Sequence, residues 1–262
     1  MSLPPPSPRG TALITGASSG IGAAMARVLA SRGHGTTLVA RDGDRLRRVA
    51  EELRVHGVRV ETVEADLTSR AERAELAARV GRTGLDVDIL VNGAGAATRG
   101  SIAECDLDAE LAHMELNVVS VVELCRTFVD GMVARNSGAI LNIASTAAFK
   151  PMGGQGTYAA SKAFVLSFTR TLGLELAESA VTVTALCPGP VPTDFDRRAG
   201  FTDEEVAAVP AIMWKSADEV AAVAVDALER GAELCIPGRA NVVDATMSLL
   251  KSKQQASRAV SR

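Results

Sequence analysis

Short apolar runs alternate along the chain with longer stretches of helical periodicity, and this alternation constrains the fold more than any other feature. The short runs have four to six residues, the usual length of buried parallel strands. The stretches between them are long enough for helices, so the order predicts βαβ units and an α/β fold with a doubly wound parallel sheet. The predicted strands are 11–15, 36–40, 58–63, 88–91, 138–143, 181–186 and 233–236, and the predicted helices are 21–31, 44–55, 69–80, 107–135, 158–178 and 217–231.

No linker or change in composition interrupts this series, so we expect a single domain over residues 10–245. A chain of 262 residues buries enough surface for a full apolar core, here of Ala, Val, Leu and Ile. The Pro-rich residues 1–9 predict a disordered arm. The basic residues 246–262 predict a flexible tail.

Charge and composition exclude several classes of partner. The net charge is −3 and only 3% of the residues are aromatic, which argues against a nucleic-acid partner. No apolar run reaches the ~18 residues of a membrane span, and the N-terminus lacks the apolar region of a signal peptide, so we expect no membrane partner. The four cysteines form no CxxC pair and no His cluster accompanies them, which predicts no metal site and reduced thiols in the cytoplasm.

A glycine-rich segment, Thr15 to Gly22, joins the first predicted strand to the first helix with the spacing GxxxGxG. Glycines permit a tight turn and a close approach of the backbone to a phosphate, and the helix N-terminus then supplies free N–H groups. An ordinary Gly-rich turn is the alternative interpretation. The strand before it and the helix after it favour a dinucleotide site, whose predicted contacts are Gly16, Ser18, Ser19 and Ile21.

The end of the second strand bears on the choice of dinucleotide. Arg41 lies there, 19 residues past Gly22, where many NAD-binding folds have an acidic residue for the ribose 2′-hydroxyl. An arginine suits a 2′-phosphate, so the sequence favours NADP(H) over NAD. Two alternatives stay open: Asp42 is only one residue away and suits NAD, or Arg41 simply begins a charged surface loop.

The ends of the third and fourth strands supply further candidates. Such a residue on its own is more often a turn or a cap than a ligand contact. Together they are expected to line one edge of the cofactor groove, because ligands bind beyond the carboxyl ends of parallel strands. The candidates are Asp66, Leu67, Asn92, Gly93 and Ala94.

The most specific chemical pattern joins Tyr158, the only tyrosine of the chain, to Lys162. Four residues apart on a helix, the phenol and the ammonium share one face, and a nearby cation is expected to lower the pKa of the phenol. Ser145 follows the fifth strand, where its hydroxyl is suited to bind a substrate carbonyl. Asn117 lies in the long helical stretch, where an Asn is more often a packing residue than a functional one.

These motifs, in this order, resemble the short-chain dehydrogenase/reductase family in its single-domain form, over residues 9–238. Thr15 to Gly22 matches the TGxxxGxG of that family, and Asn92 to Gly95 matches its NNAG motif, with Gly93 in place of the second Asn. The resemblance implies a Rossmann-type sheet and a catalytic tetrad of Asn117, Ser145, Tyr158 and Lys162. It also implies that the Pro-Gly segment after the sixth strand contacts the nicotinamide, through Pro188, Gly189, Val191 and Thr193.

The implied function is an NADP(H)-dependent oxidoreductase that moves a hydride between the nicotinamide and a small-molecule carbonyl or secondary alcohol. Tyr158 would be the general acid and base, Lys162 would lower its pKa and bind the nicotinamide ribose, and Ser145 would orient the substrate oxygen. Asn117 would anchor a water in a proton relay. The resemblance further implies a homodimer or homotetramer.

Residues 146–154 and 190–214 are the expected wall of the substrate pocket. Their apolar side chains, including Phe149, Phe195 and Trp214, favour an apolar substrate, while Arg197 and Arg198 leave an acidic one open. Two other functions compete with the oxidoreductase. One is a catalytically silent NADP(H)-binding sensor or scaffold of the same fold, against which the intact tetrad argues. The other is a different Rossmann-type enzyme, such as a methyltransferase or an epimerase, and a methyltransferase has no use for a Tyr–Lys pair.

Overall fold

The computed structural model describes the backbone of residues 3–260 and the side chains of residues 3–252 and 254. Its centre is a sheet of seven parallel strands in the order β3-β2-β1-β4-β5-β6-β7. The strands are Gly10–Thr15 (β1), Thr36–Ala40 (β2), Val60–Glu64 (β3), Asp86–Asn92 (β4), Gly138–Ile143 (β5), Val181–Leu186 (β6) and Leu234–Cys235 (β7). The order reverses between β1 and β4, which is the arrangement of a doubly wound Rossmann-type sheet and confirms the predicted fold class.

Helices cover both faces of the sheet. They are Gly20–Ser31 (α1), Gly43–Arg54 (α2), Arg70–Arg82 (α3), Leu107–Met114 (α4), Ser120–Ala134 (α5), Gly156–Glu175 (α6), Asp194–Arg198 (α7), Asp203–Ala208 (α8), Ala217–Glu229 (α9) and Arg239–Val260 (α10). Two 3₁₀ turns, Thr146–Phe149 and Ala211–Met213, lie between them. None of the helices in the described part of the chain combines the length and the apolar character needed to cross a membrane.

The core has two layers because successive strand residues point to opposite faces of the sheet. In β1, Ile14 packs into the layer that contains α1 and α9, and Leu13 packs into the layer that contains α5 and α6. Both side chains are fully buried. Because the strands are all parallel, the carboxyl ends of β1 to β6 lie at one rim of the sheet.

The predicted helix 107–135 is interrupted in the structure. A π-helical turn, Glu115–Val119, separates α4 from α5, and Asn117 lies inside it. Such wide turns leave backbone groups out of the regular hydrogen-bond pattern and are frequent at functional sites. Hydrophobic periodicity does not reveal the turn, because the apolar residues continue on both sides of it.

The structure describes part of each terminus. Leu3, in the Pro-rich arm, is only 8% exposed and packs against the core. At the other end, α10 continues to Val260, within the stretch predicted as a tail. Residues 239–260 contain no Gly or Pro that would end a helix. The disorder of residues 1–9 and the flexibility of residues 246–262 stay predictions.

Candidate active site

A cavity of about 1050 Å³ opens at the carboxyl ends of the strands. We call the part formed by residues 16–22, 40–45, 65–67 and 93–95 the cofactor half, after the prediction made for it, and the part formed by residues 96–116, 146–155 and 195–214 the substrate half. Most of the predicted site residues line the cavity: Gly16, Ser18, Ser19, Ile21, Arg41, Asp66, Leu67, Gly93, Ala94, Ser145, Tyr158, Lys162, Pro188, Gly189, Val191 and Thr193. Asn92 and Asn117 are not among the lining residues.

The floor of the cofactor half is made of closely packed backbone. Gly16 has φ of +69°, and a Cβ there would lie 2.7 Å from the Gly93 carbonyl oxygen. A Cβ on Gly93 would lie 2.7 Å from the Thr15 carbonyl oxygen, and one on Gly22 would overlap the Gly16 carbonyl. Only glycine fits these positions, so the turn after β1 and the loop after β4 form one smooth surface.

Thr15 fastens these two segments together. Its Oγ1 accepts hydrogen bonds from the backbone N–H groups of Gly93 and Ala94, each at 3.0 Å. Thr15 itself is buried and does not line the cavity. Thr15 belongs to the glycine-rich motif but was not among the predicted site residues, since nothing in the local sequence indicates a contact with residues 78 and 79 positions away.

The N-terminus of α1 opens into the cofactor half with no side-chain cap. Ser19 occupies the N-cap position, and its side chain accepts no hydrogen bond from the first turn. The N-caps of α2, α3 and α9 all do accept one. The free N–H groups of the first turn of α1 therefore face the cavity without a partner side chain, and such an end suits a phosphate group.

The charged end of the cofactor half lies at the start of α2. Arg41 is exposed and lines the cavity. Asp42, the alternative contact for NAD, caps α2 by accepting from the backbone N–H of Arg45 at 2.9 Å, and also pairs with the Arg45 guanidinium. Arg45 in turn reaches Asp194 at 3.0 Å on the opposite wall. Our sequence analysis did not single out Arg45.

The residues after β3 lie where they were predicted. Leu67 is buried and lines the cavity, and its carbonyl oxygen accepts a hydrogen bond from the Arg73 guanidinium at 2.7 Å. The Asp66 carboxylate accepts hydrogen bonds from the backbone N–H and the hydroxyl of Thr68, both at 2.9 Å. Asp66 therefore also acts as a turn residue, which is the more common role of a polar residue at a strand end.

Asn92 corrects one of our predictions, because its side chain points away from the cavity. It is 3% exposed and donates a hydrogen bond to Asn142 at 2.8 Å. Asn142 in turn donates to Thr169 on α6 at 3.0 Å. Asn92 is the last residue of β4, and the alternation of side chains along the strand directs it into the interior between the sheet and the helices.

Ser145, Tyr158 and Lys162 lie together where the two halves of the cavity meet. The Lys162 ammonium is 5.8 Å from the centre of the Tyr158 ring and donates a hydrogen bond to the Ile143 carbonyl at 2.9 Å. Ser145 Oγ accepts from the Ala147 backbone N–H at 3.0 Å, which leaves the hydroxyl proton for another acceptor. The carboxyl end of β5 thus positions both the serine and the lysine.

Burial dominates the electrostatics of this group. It raises the pKa of the Tyr158 phenol to about 12, although the side chain of Ser145 acts in the opposite direction. It also lowers the pKa of the Lys162 ammonium to about 8. The direction for Tyr158 is opposite to the one that we expected from a neighbouring cation, since the removal of the phenolate from water is the largest contribution. The tyrosine is therefore held as a neutral proton donor.

Asn117 is 1% exposed and supports the cavity wall from behind. Its side-chain oxygen accepts from the backbone N–H of Ala96 at 3.0 Å, and its amide donates to the Ala96 carbonyl at 2.8 Å and to Ser161 at 3.2 Å. A Cβ on Gly95 would lie 3.3 Å from the Asn117 oxygen and 3.4 Å from the Lys162 nitrogen. Gly95 therefore leaves the space between these two groups open.

The substrate half is mostly apolar but carries polar groups, among them His113, which was not predicted, and Asp196, which lies in the predicted wall 190–214. His113 of α4 lines it, with a buried Nδ1 that has no hydrogen-bond partner within the described residues, and burial lowers its pKa. Asp196 of α7 lines it as well. Apolar and aromatic side chains surround them: Leu116, Met152, Phe195, Phe201, Val206, Val209, Met213 and Trp214.

Within the described residues, no group of three or more His, Cys, Asp or Glu side chains is placed to hold a metal ion.

Comparison with known proteins agrees with this geometry. The family model described as short chain dehydrogenase matches residues 10–203, and the chain belongs to this family. It is 43% identical over 190 residues to the "Granaticin polyketide synthase putative ketoacyl reductase 1" of Streptomyces violaceoruber, which covers 71% of this chain and 70% of that protein.

Two solved structures are similar over nearly the whole chain. A short-chain dehydrogenase from Sphingobium yanoikuyae in complex with NADPH is 35% identical, with a TM-score of 0.83 and 95% of each chain covered. The bulky-bulky ketone specific alcohol dehydrogenase of Comamonas testosteroni is 31% identical, with a TM-score of 0.76, and the match covers 92% of this chain and 93% of that one.

Proposed function

We propose that the protein is an NADP(H)-dependent oxidoreductase that interconverts a carbonyl group and a secondary alcohol, with Tyr158 as the general acid and base. The observation that carries the proposal is the group of Ser145, Tyr158 and Lys162 at the junction of a phosphate-suited cavity half and an apolar one. Family membership supports the same chemistry.

The cofactor half fits a dinucleotide on its own geometry. The closely packed glycines let a pyrophosphate approach the backbone, and the uncapped end of α1 supplies N–H donors for it. Arg41 and Arg45 bring positive charge to the end where a 2′-phosphate would lie, while the Asp42 carboxylate is occupied as a helix cap. These features favour NADP(H) over NAD, and the structurally similar Sphingobium enzyme was solved with NADPH.

Ser145, Tyr158 and Lys162, where the two halves meet, have separate roles in the transfer of the proton. The nicotinamide, when bound, supplies or accepts the hydride. Ser145 donates a hydrogen bond to the substrate oxygen and orients it toward the phenol. Tyr158 gives that oxygen a proton in the reductive direction, for which its raised pKa keeps it protonated. The buried Lys162 ammonium stabilises the phenolate that remains until the proton is replaced.

Asn117 contributes to this arrangement by position. Its two hydrogen bonds to Ala96 hold the cavity wall, and its contact with Ser161 ties that wall to the helix that carries Tyr158 and Lys162. The gap that Gly95 leaves beside the Lys162 ammonium suits a water molecule, which would return a proton to the site.

The substrate that this pocket favours is an apolar ketone or secondary alcohol. Aromatic and aliphatic side chains line most of the substrate half. The two arginines that left an acidic substrate open, Arg197 and Arg198, both pair with Asp194, which supports the apolar alternative. The similar Comamonas enzyme is described as specific for bulky ketones. Cytoplasmic location and assembly into a homodimer or homotetramer remain predictions.

The deciding experiment is a screen of carbonyl compounds in which the oxidation of NADPH and of NADH is followed in parallel. We expect turnover with NADPH and a weaker response with NADH. In Arg41→Ala, the KM for NADPH should rise at least about tenfold, the effect of one lost charged hydrogen bond, while the KM for NADH changes little. Equal changes for both nucleotides would overturn the cofactor assignment.

The main competing function is a sensor or scaffold that binds NADP(H) without turnover. The complete set of Ser145, Tyr158 and Lys162 argues against it, since binding alone does not need an oriented phenol. Tight NADPH binding together with no oxidation across the whole screen would favour the sensor.

A further inference from the structure

Asp196 differs from the other carboxylates that line the cavity. Within the described residues it makes no side-chain hydrogen bond and no ion pair, although it is only partly exposed. Each of the four other lining carboxylates has a partner: Asp42 has Arg45, Asp66 has Thr68, Glu205 has Arg99 and Asp244 has Lys150. A carboxylate in a mostly apolar pocket is stabilised poorly unless a partner replaces the water that it loses.

The cations nearest to Asp196 in the sequence are already used. Arg197 and Arg198 follow it directly, yet both bind Asp194 instead, at 2.7 Å and 3.4 Å. Arg45 reaches the same Asp194 from α2 at 3.0 Å. Three guanidinium groups thus converge on Asp194, and among the described side chains no cation pairs with Asp196, the other carboxylate of α7.

The position of Asp196 relative to the chemistry is fixed by its neighbours. The ring of Phe195 packs against the ring of Tyr158, with centroids 5.8 Å apart, and this contact holds α7 over the reacting group. Asp196 lies close enough that its charge contributes to the raised pKa of Tyr158. Its backbone carbonyl is held by the Phe201 N–H at 3.1 Å, so the segment after α7 folds back toward the same wall.

We propose that Asp196 is a substrate-binding residue that pairs with the ammonium group of an amine-bearing ketone or secondary alcohol. This inference rests on the proposed function and adds a substrate class to it. The ammonium group of the substrate would pair with the Asp196 carboxylate, which has no cation partner among the described residues. The apolar walls would contact the carbon skeleton of the substrate. A charged hydrogen bond in such surroundings is stronger than one in water, so it discriminates well between an amine and its neutral analogue.

The test uses three ketones with one skeleton: 4-(aminomethyl)acetophenone, 4-(hydroxymethyl)acetophenone and 4-ethylacetophenone, together with the 3-substituted isomers of each. Their kcat/KM values are measured for the unmodified protein, for Asp196→Asn and for Asp203→Asn. Asp203 is an exposed residue of α8 that does not line the cavity, so its variant controls for the loss of one negative charge.

We expect the amine to be preferred over the ethyl compound by about ten- to a hundredfold at one of the two ring positions, which corresponds to one charged hydrogen bond. Asp196→Asn should remove the preference, and Asp203→Asn should retain it. Equal kcat/KM values for the three ketones, a preference for the hydroxyl compound over the amine, or a preference that survives in Asp196→Asn would each overturn the proposal.

A binding measurement separates this proposal from the proposed function. The amine should raise the melting temperature of the NADP⁺-saturated protein, in which the ketone is not reduced, and Asp196→Asn should lose that shift while the shift from NADP⁺ alone is kept. If no ketone of the wider screen is reduced, the proposed function is wrong, whether or not the amine raises the melting temperature. If ketones are reduced but the amine shifts the two proteins equally, only the role of Asp196 fails.

Discussion

The cofactor half of the cavity is walled by backbone, whereas the substrate half is walled by side chains on short helices. In the cofactor half, the glycines at 16, 22 and 93 leave no room for a Cβ. In the substrate half, α7, α8 and the 3₁₀ turn Ala211–Met213 contribute no buried residue of their own. The first region is fixed by steric contact between chain segments, and the second is not.

The substrate half is held in place by a few individual contacts. Arg45 pairs with Asp194, Phe195 packs on Tyr158, and Arg99 pairs with Glu205 while lying over the ring of Phe201. Contacts of this kind can be exchanged singly without disturbing the sheet. We call α7, α8 and the 3₁₀ turn Ala211–Met213 the lid. The comparison teaches that a fixed cofactor site and an adaptable specificity site share one cavity, because the lid packs on the surface of the protein and not in its core.

The largest effect is expected at the junction of the two halves. Tyr158→Phe removes the proton donor, and the turnover number should fall by about 10²–10⁴-fold, the usual contribution of a general acid. Binding of NADPH should remain within a factor of about two, since the ring stays in place. The measurement is steady-state kinetics together with NADPH titration by fluorescence. Full activity in this variant would disprove the assigned role of Tyr158.

The rigidity of the cofactor half is tested by Gly22→Ala. The new Cβ would lie 2.8 Å from the Gly16 carbonyl carbon, and closer still to its oxygen. We expect the free energy of unfolding to fall by about 2–3 kcal/mol, together with a loss of NADPH affinity. Urea unfolding and NADPH titration measure both effects.

Gly153→Ala supplies the matched comparison from the loop beside the substrate half. A Cβ at this position meets no atom within 4 Å. Its free energy of unfolding should therefore change by less than about 0.5 kcal/mol, as for an ordinary surface substitution. If both variants behaved alike, the proposed difference between the two halves would be wrong.

A small effect is also expected from Asp194→Asn, which weakens the pairing of α7 with Arg45. Because the pair is solvent-exposed on at least one side and is screened by water, the free energy of unfolding should change only slightly, as for other surface ion pairs. The KM for the substrate should rise a few-fold as α7 loses an anchor, with kcat nearly unchanged. Asp203→Asn is the control, and a fall in stability as large as that of Gly22→Ala would contradict the description of the lid as a surface element.

Much of the cofactor half could be predicted from the sequence because its determinants are local. The run from Thr15 to Gly22 specifies a strand, a turn and a helix start within a few residues. Asn92 shows the limit: its place at a strand end was correct, but its side chain turns into the interior to meet Asn142. The π-helical turn at Asn117 was also missed, since apolar periodicity continues through it.

The substrate half was predicted only as a list of residues. Arg45 and Asp194 are 149 positions apart in the sequence, and no local sequence pattern predicts that they pair. The predicted direction of the Tyr158 pKa shift was likewise wrong, because burial of the phenol raises that pKa. Burial depends on what the rest of the chain places around a group.

By itself, the sequence determined the alternation of strands and helices, the glycine turn and the spacing of Tyr158 and Lys162 on one helical face. Backbone sterics and helical periodicity act over a few residues, so they can be read from the chain directly. Only the tertiary structure decided which charges pair across the cavity and which carboxylate, Asp196, has no cation partner in the described part of the chain. Those outcomes depend on distances between segments far apart in the chain, and folding alone sets them.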